Sequence, residues 1–184
     1  MRRVGKTRKA VVILSACGLF IASAFEDATG VRKRPEPLTV EVLTPGKAPG
    51  ELLAAATKLV FSSGDRFRIR IASASAGLLY LIVHESGGDV RVLHASRLLA
   101  GRTTSLPPGS WYSFDQEPGL ERLFVLFARS PIPLMESQRV NGEGFGEFED
   151  LVRSGGMTGL VDRSGASVYV HTLTFTHLPS PARY

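Results

Sequence analysis

The chain has 184 residues, 43% hydrophobic and 21% charged, with a single cysteine. That size and apolar fraction suit one domain with a real core plus a tail, which excludes a disordered chain, and one cysteine excludes a disulfide framework. The formal charge of +5 is local: Arg2, Arg3, Lys6, Arg8 and Lys9 precede the first acid, which leaves 17 basic against 17 acidic residues in the body. A neutral body argues against a nucleic-acid partner.

The basic start runs into residues 10–24, fifteen uncharged and mostly apolar positions, and Glu26 and Asp27 follow. This is the pattern of a secretory signal, so residues 1–24 read as a signal peptide or an N-terminal membrane anchor. Fifteen residues fall short of the roughly 20 that a helix needs to span about 30 Å of hydrocarbon. Ala22-Ser23-Ala24 has the A-x-A form that predicts cleavage after Ala24. Leu14-Ser15-Ala16-Cys17 resembles a lipobox, which makes Cys17 the alternative, lipidated first residue. The short run of seven residues before Cys17, and the apolar continuation through Phe25, fit cleavage after Ala24 better. Either route predicts an extracytoplasmic protein of the bacterial periplasm or cell envelope, secreted or membrane-anchored. It would touch the membrane only through this leader or through lipid on Cys17. Cleavage after Ala24 leaves no thiol, which suits an oxidising compartment.

Residues 25–37 have the polar, proline-containing composition of a linker. A first strand over 38–43, with Val40 and Val42 alternating against Thr39 and Glu41, is stopped by Thr44-Pro45-Gly46. Residues 51–57 suggest a short helical turn. Phe67, Ile69 and Ile71 then alternate with Arg66, Arg68 and Arg70, the mark of a strand with one wet face. Residues 78–83 (LLYLIV) are apolar on both faces, as expected of a central sandwich strand. Gly87-Gly88 predicts a two-residue hairpin turn into a strand at 90–93. Leu106-Pro107-Pro108-Gly109 is a turn that leads into Trp111, Tyr112 and Phe114. On an alternating strand Tyr112 and Phe114 take the inward face and Trp111 the outer one.

Residues 123–128 (LFVLFA) form a second buried run, closed by Pro131 and Pro133. Phe148, Leu151 and Val152, with Phe145, recur at helical spacing and place one helix near 146–153. The glycine-rich stretch 142–146 before it reads as a flexible loop. Residues 167–178 form a long final strand, and 179–184 a tail. The domain predicted over 38–178 is all-β, an antiparallel two-sheet, immunoglobulin-like sandwich with one short helix.

Five stretches resemble a known family. They are Phe61-Ser62-Ser63-Gly64-Asp65-Arg66-Phe67-Arg68-Ile69, Gly77-Leu78-Leu79-Tyr80-Leu81, Leu106-Pro107-Pro108-Gly109-Ser110-Trp111-Tyr112-Ser113-Phe114-Asp115, Glu117-Pro118-Gly119-Leu120-Glu121-Arg122-Leu123-Phe124-Val125 and Ser130-Pro131. In this order they resemble the bacterial domain of unknown function 4384 (DUF4384), over residues 59–134. The resemblance implies a β-rich extracytoplasmic or surface module, found alone or appended to domains such as kinases and peptidases, and no established reaction. One departure is Gly77-Leu78, where the family usually carries Gly-Tyr. Physically these motifs are scaffold: Ser63-Gly64-Asp65 and Glu117-Pro118-Gly119 make turns into strands.

The sequence holds no P-loop, no GxGxxG after a strand, no HExxH and no GxSxG. The histidines are the metal or base candidates. Pairing Ser86 with Asp89 across the hairpin sets His84 opposite Arg91 and His94 opposite Leu81, on different faces of the sheet. His171 and His177 share a face with Tyr169, Leu173 and Phe175, but six residues hold them roughly 20 Å apart. This leaves a site assembled from different strands as the one remaining route to a metal, and the expectation is no catalytic residue, no metal and no cofactor. Glu143, Glu147, Glu149 and Asp150 complement the dipole of the predicted helix. The candidate binding residues are Trp111 and Tyr112 with the ladder Arg66, Arg68 and Arg70. The expected function is an exported, non-enzymatic module that binds a protein partner or a cell-envelope component. Its rivals are an envelope hydrolase with a site assembled across strands and a structural envelope domain.

Overall fold

A computed structural model describes residues 37–46, 58–140 and 143–180, with backbone alone at 58, 137–140 and 143–145. The leader with Cys17, the linker as far as residue 36, the turn expected at 51–57 and the last four residues lie outside the described residues. In chain order the elements are β1 (Leu38–Leu43), β2 (Lys58–Ser62), β3 (Arg66–Ser73), β4 (Gly77–His84), β5 (Val90–Leu98), β6 (Thr103–Leu106), β7 (Tyr112–Ser113), β8 (Gly119–Ala128), α1 (Pro133–Val140), α2 (Glu143–Ser154) and β9 (Tyr169–Leu178).

Period-two alternation builds the first sheet. β3 lies at its centre, with β1 along one side and β6 and β7 on the other. β6 pairs Ile69 with Leu106, and β7 pairs Phe67 with Tyr112, so the two short strands occupy successive stretches of one edge. The Leu106–Pro107 bond between them is cis. The second sheet runs β2-β9-β8-β4-β5. The molecule is thus mostly β, with two sheets and few helices.

Two cores flank the second sheet. Between the sheets, Phe67, Ile69 and Ile71 of the first meet Leu79, Leu81, Leu123, Val125 and Phe175 of the second. On the far side, Tyr80, Ile82, Phe124 and Leu126 pack under Ile132, Met135, Phe148 and Val152 of the helical segment. This second core is why both LLYLIV and LFVLFA are apolar on both faces. A sandwich strand alone would have one wet face, and here a layer of helices takes the place of water.

The structure corrects four expectations. The sheets are not wholly antiparallel: β2 runs parallel to β9, pairing Leu59 with Phe175. There are two helices among the described residues, because Pro133 opens α1 instead of only closing the strand before it; proline's fixed φ and missing N–H suit the first helical position. The glycine-rich stretch is not a loop beyond residue 142, since α2 starts at Glu143 and carries Gly144 and Gly146. Finally, the hairpin loop has three residues, not two. The Glu85 N–H donates to the Asp89 carbonyl (2.8 Å), Gly88 N–H to the Glu85 carbonyl (3.0 Å), and Gly88 takes a φ of +93°. His84 therefore pairs with Val90. A bulge between Leu81 and Ile82 then absorbs the slip, so Leu81 faces His94 as the two-residue turn had predicted.

Candidate functional site

At one end of the inter-sheet core the chain assembles a polar cluster from four segments. Inward parity on β9 carries Leu173, Phe175 and His177 down the same face. Inward parity on β8 brings Glu121 to the same end, where the strand begins. The turn after β2 supplies Ser63, with Gly64 at a φ of +86°, and the residue after Phe114 supplies Asp115. His177 has no exposed side-chain surface. Ser63 Oγ lies 3.0 Å from its Nε2, and Glu121 Oε1 lies 3.0 Å from its Nδ1. A neutral imidazole accepts at one nitrogen and donates at the other, whereas an imidazolium donates at both. Burial raises the pKa of Glu121; the bond to His177 opposes this, and Asp115 and Glu85 push it further up.

The order hydroxyl, imidazole, carboxylate is that of an acyl-transfer relay. Its surroundings differ from such a relay. The amides that would face an oxyanion are already donated: Ser63 N–H to the Leu178 carbonyl (2.9 Å), Gly64 N–H to the Phe114 carbonyl (3.0 Å) and Asp65 N–H to the Ser62 carbonyl (2.9 Å). Ser63 itself is buried, and Ser180 Oγ donates to its carbonyl (2.8 Å). The cluster fastens the ends of β2, β8 and β9.

Of the residues expected to bind, Trp111, Arg66, Arg68 and Arg70 are gathered on the outer face of the first sheet. Trp111 lies there under Arg68, whose guanidinium carbon stands 4.5 Å from the ring centroid. Arg68 also donates through Nε (2.8 Å) and Nη2 (2.5 Å) to the Ser110 carbonyl, which fixes the loop that carries the tryptophan. Arg70 pairs with Glu41 across β1 (2.6 Å from Nε), and Arg66 is exposed. Tyr112 is not on this face. It points inward, 5.4 Å from the Phe67 ring, and burial raises its pKa.

His84 and His94 stand on different faces of the β4–β5 pair. Burial lowers the pKa of both, and Arg122 and Arg153 lower that of His84 further. An apolar hollow of about 300 Å³ on the helical layer, lined by Ile132, Leu134, Leu151 and Leu160, shares no residue with the polar cluster.

Sequence reasoning took Ser63 as a turn residue and Asp115 and Glu121 as parts of scaffold motifs, and treated the histidines in pairs. It therefore missed their convergence on His177. The available signal was parity, since His177 falls on the inward face beside Leu173 and Phe175. It also missed Asp162, which is buried and accepts from Ser164 N–H (2.9 Å), Ala166 N–H (3.1 Å), Ser130 N–H (3.0 Å) and the Ser164 hydroxyl. No model of a known protein family matches this chain, and no curated protein matches it either.

Proposed function

We propose that the chain is an exported, non-enzymatic module of immunoglobulin-like sandwich type, with an added helical layer, that binds a protein partner or a cell-envelope component. The observation that carries this reading is the Arg68–Trp111 pair. An amphipathic ring with a cation on its face is held rigid on a solvent-facing sheet, which lowers the ordering cost of binding. The basic and apolar leader supports export, and the motifs at 59–134 resemble a family of extracytoplasmic β-rich modules. Capture from envelope extract with the full protein and with Trp111→Ala, read by mass spectrometry, tests it. The expected result is a partner enriched by the wild type and lost with the variant, and identical captured sets would overturn this surface.

The hydroxyl–imidazole–carboxylate order of Ser63, His177 and Glu121 favours the hydrolase as a second reading. A fluorophosphonate probe separates the two: the binding reading expects no labelling of Ser63, and labelling of the wild type but not of Ser63→Ala would establish an enzyme.

A further inference from the structure

The ligand atoms of Asp115, Glu121 and His177 lie within 4.8 Å of one another. We propose that these three residues form a binding site for one divalent transition-metal ion of the manganese-to-zinc class. The donor set decides the class. Imidazole suits zinc, iron and copper, carboxylate suits manganese and the harder ions, and a mixed set of one nitrogen and two oxygens favours the borderline ions between them.

The geometry supports this at each ligand. The 3.0 Å between His177 Nδ1 and Glu121 Oε1 is a hydrogen-bond length. It is also about the edge between adjacent ligands of an octahedral ion with bonds of about 2.1 Å, so an ion can take the place of the shared proton. The imidazole is buried, and its far nitrogen is engaged by Ser63 Oγ at 3.0 Å. A metal-bound histidine nearly always has such a partner, which fixes the ring and directs the other nitrogen at the ion. Ser63 Oγ in turn lies 3.4 Å from the Leu178 carbonyl, which takes the hydroxyl proton in the tautomer that protonates Nε2 and leaves Nδ1 for the ion. Asp115 is exposed on the solvent side of the cluster and anchored there, because its Oδ1 accepts the Glu117 N–H at 2.8 Å. The ion would enter from the Asp115 side and tie the segment after β7 to the start of β8 and the end of β9.

The test uses the full protein dialysed against Zn²⁺ and, separately, Co²⁺, with elemental analysis and visible absorption of the cobalt form. Asp115→Asn is the informative variant, because Asp115 is exposed and the amide oxygen can still accept from Glu117. Asp89→Asn, an exposed acid on the hairpin outside the cluster, is the control. The expected result is one ion per chain, d–d bands for Co²⁺, and binding weakened at least about tenfold by Asp115→Asn but not by Asp89→Asn. A wild type that takes up no stoichiometric ion would overturn the site. So would uptake that Asp115→Asn leaves unchanged, or that both variants reduce equally.

Discussion

The ring of Phe114 lies 5.0 Å from the imidazole of His177, tilted by 51°, so the aromatic core and the polar cluster share a wall. Phe114 also stacks on Phe61 at 4.7 Å and meets Phe175 edge-on at 5.7 Å. Phe114→Ala should therefore cost about 3–5 kcal/mol. Trp111→Ala removes a partly exposed ring from the outer face and should cost clearly less. Denaturant melts of the two variants check the order, and the reverse order would mean that the faces are exchanged.

Ser63→Ala should destabilise by about 1–3 kcal/mol, because it leaves Nε2 of a fully buried imidazole without its partner. Ser63→Thr keeps the hydroxyl and should recover part of the loss. Chemical denaturation at neutral pH measures both.

Asp162 accepts from three backbone amides and the Ser164 hydroxyl. The hydroxyl is the largest cause of a pKa held well below the usual carboxylate range, and the Ser130 and Ser164 amides add to it. A carboxylate with a depressed folded-state pKa stabilises fully above its unfolded pKa of about 3.9 and loses that contribution as the pH falls toward the folded value. The wild type should thus lose melting temperature steadily below about pH 5, where the unfolded chain begins to take up the proton. Asp162→Asn should melt lower at pH 7 and show a flatter acid limb. Differential scanning calorimetry across pH 3–7 would read both effects, and parallel acid limbs would show that other carboxylates set them.

A Cβ at Gly77 would sit 2.5 Å from the Phe127 ring and 2.6 Å from the Ala128 carbonyl oxygen. Both belong to the adjacent strand β8, so neither can move without disturbing the sheet. Gly77→Ala should cost about 1–3 kcal/mol through overpacking. Thermal melts beside Gly146→Ala, where the added carbon meets nothing within 4 Å, separate this from a general loss of glycine.

Much of the strand pattern was legible because a side-chain period of two leaves a clear trace. Arg66 to Ile71 alternates in the sequence and in burial alike, and parity alone puts Phe114 inside and Trp111 outside. What was hidden depends on partners distant in sequence. The parallel pairing of β2 with β9 joins residues more than a hundred positions apart, and no local pattern marks its direction. The bulge at Leu93 follows from the length of a loop whose two glycines fit either turn. α1 was obscured because Pro133 reads equally as the end of one element and the start of the next. The cluster around His177 was masked for a related reason: Ser63 already had a sufficient local explanation in a turn, and Asp115 and Glu121 stood within motifs that read as scaffold.

The divided edge formed by β6 and β7 has a consequence for the behaviour of many copies together. A long, flat outer strand presents a row of open amides and carbonyls on which another chain can polymerise. Here one outer edge of the first sheet is a four-residue and a two-residue piece separated by Pro107-Pro108, and the other is the six-residue β1, flanked by Pro37 and Pro45. In the second sheet the outer strands are β2, five residues long, and β5, which is kinked at Leu93 and carries the exposed Arg91 and Arg97. Among the described residues, each of these four edges is short, divided or bulged, so the folded domain resists edge-to-edge fibre growth even where it is crowded.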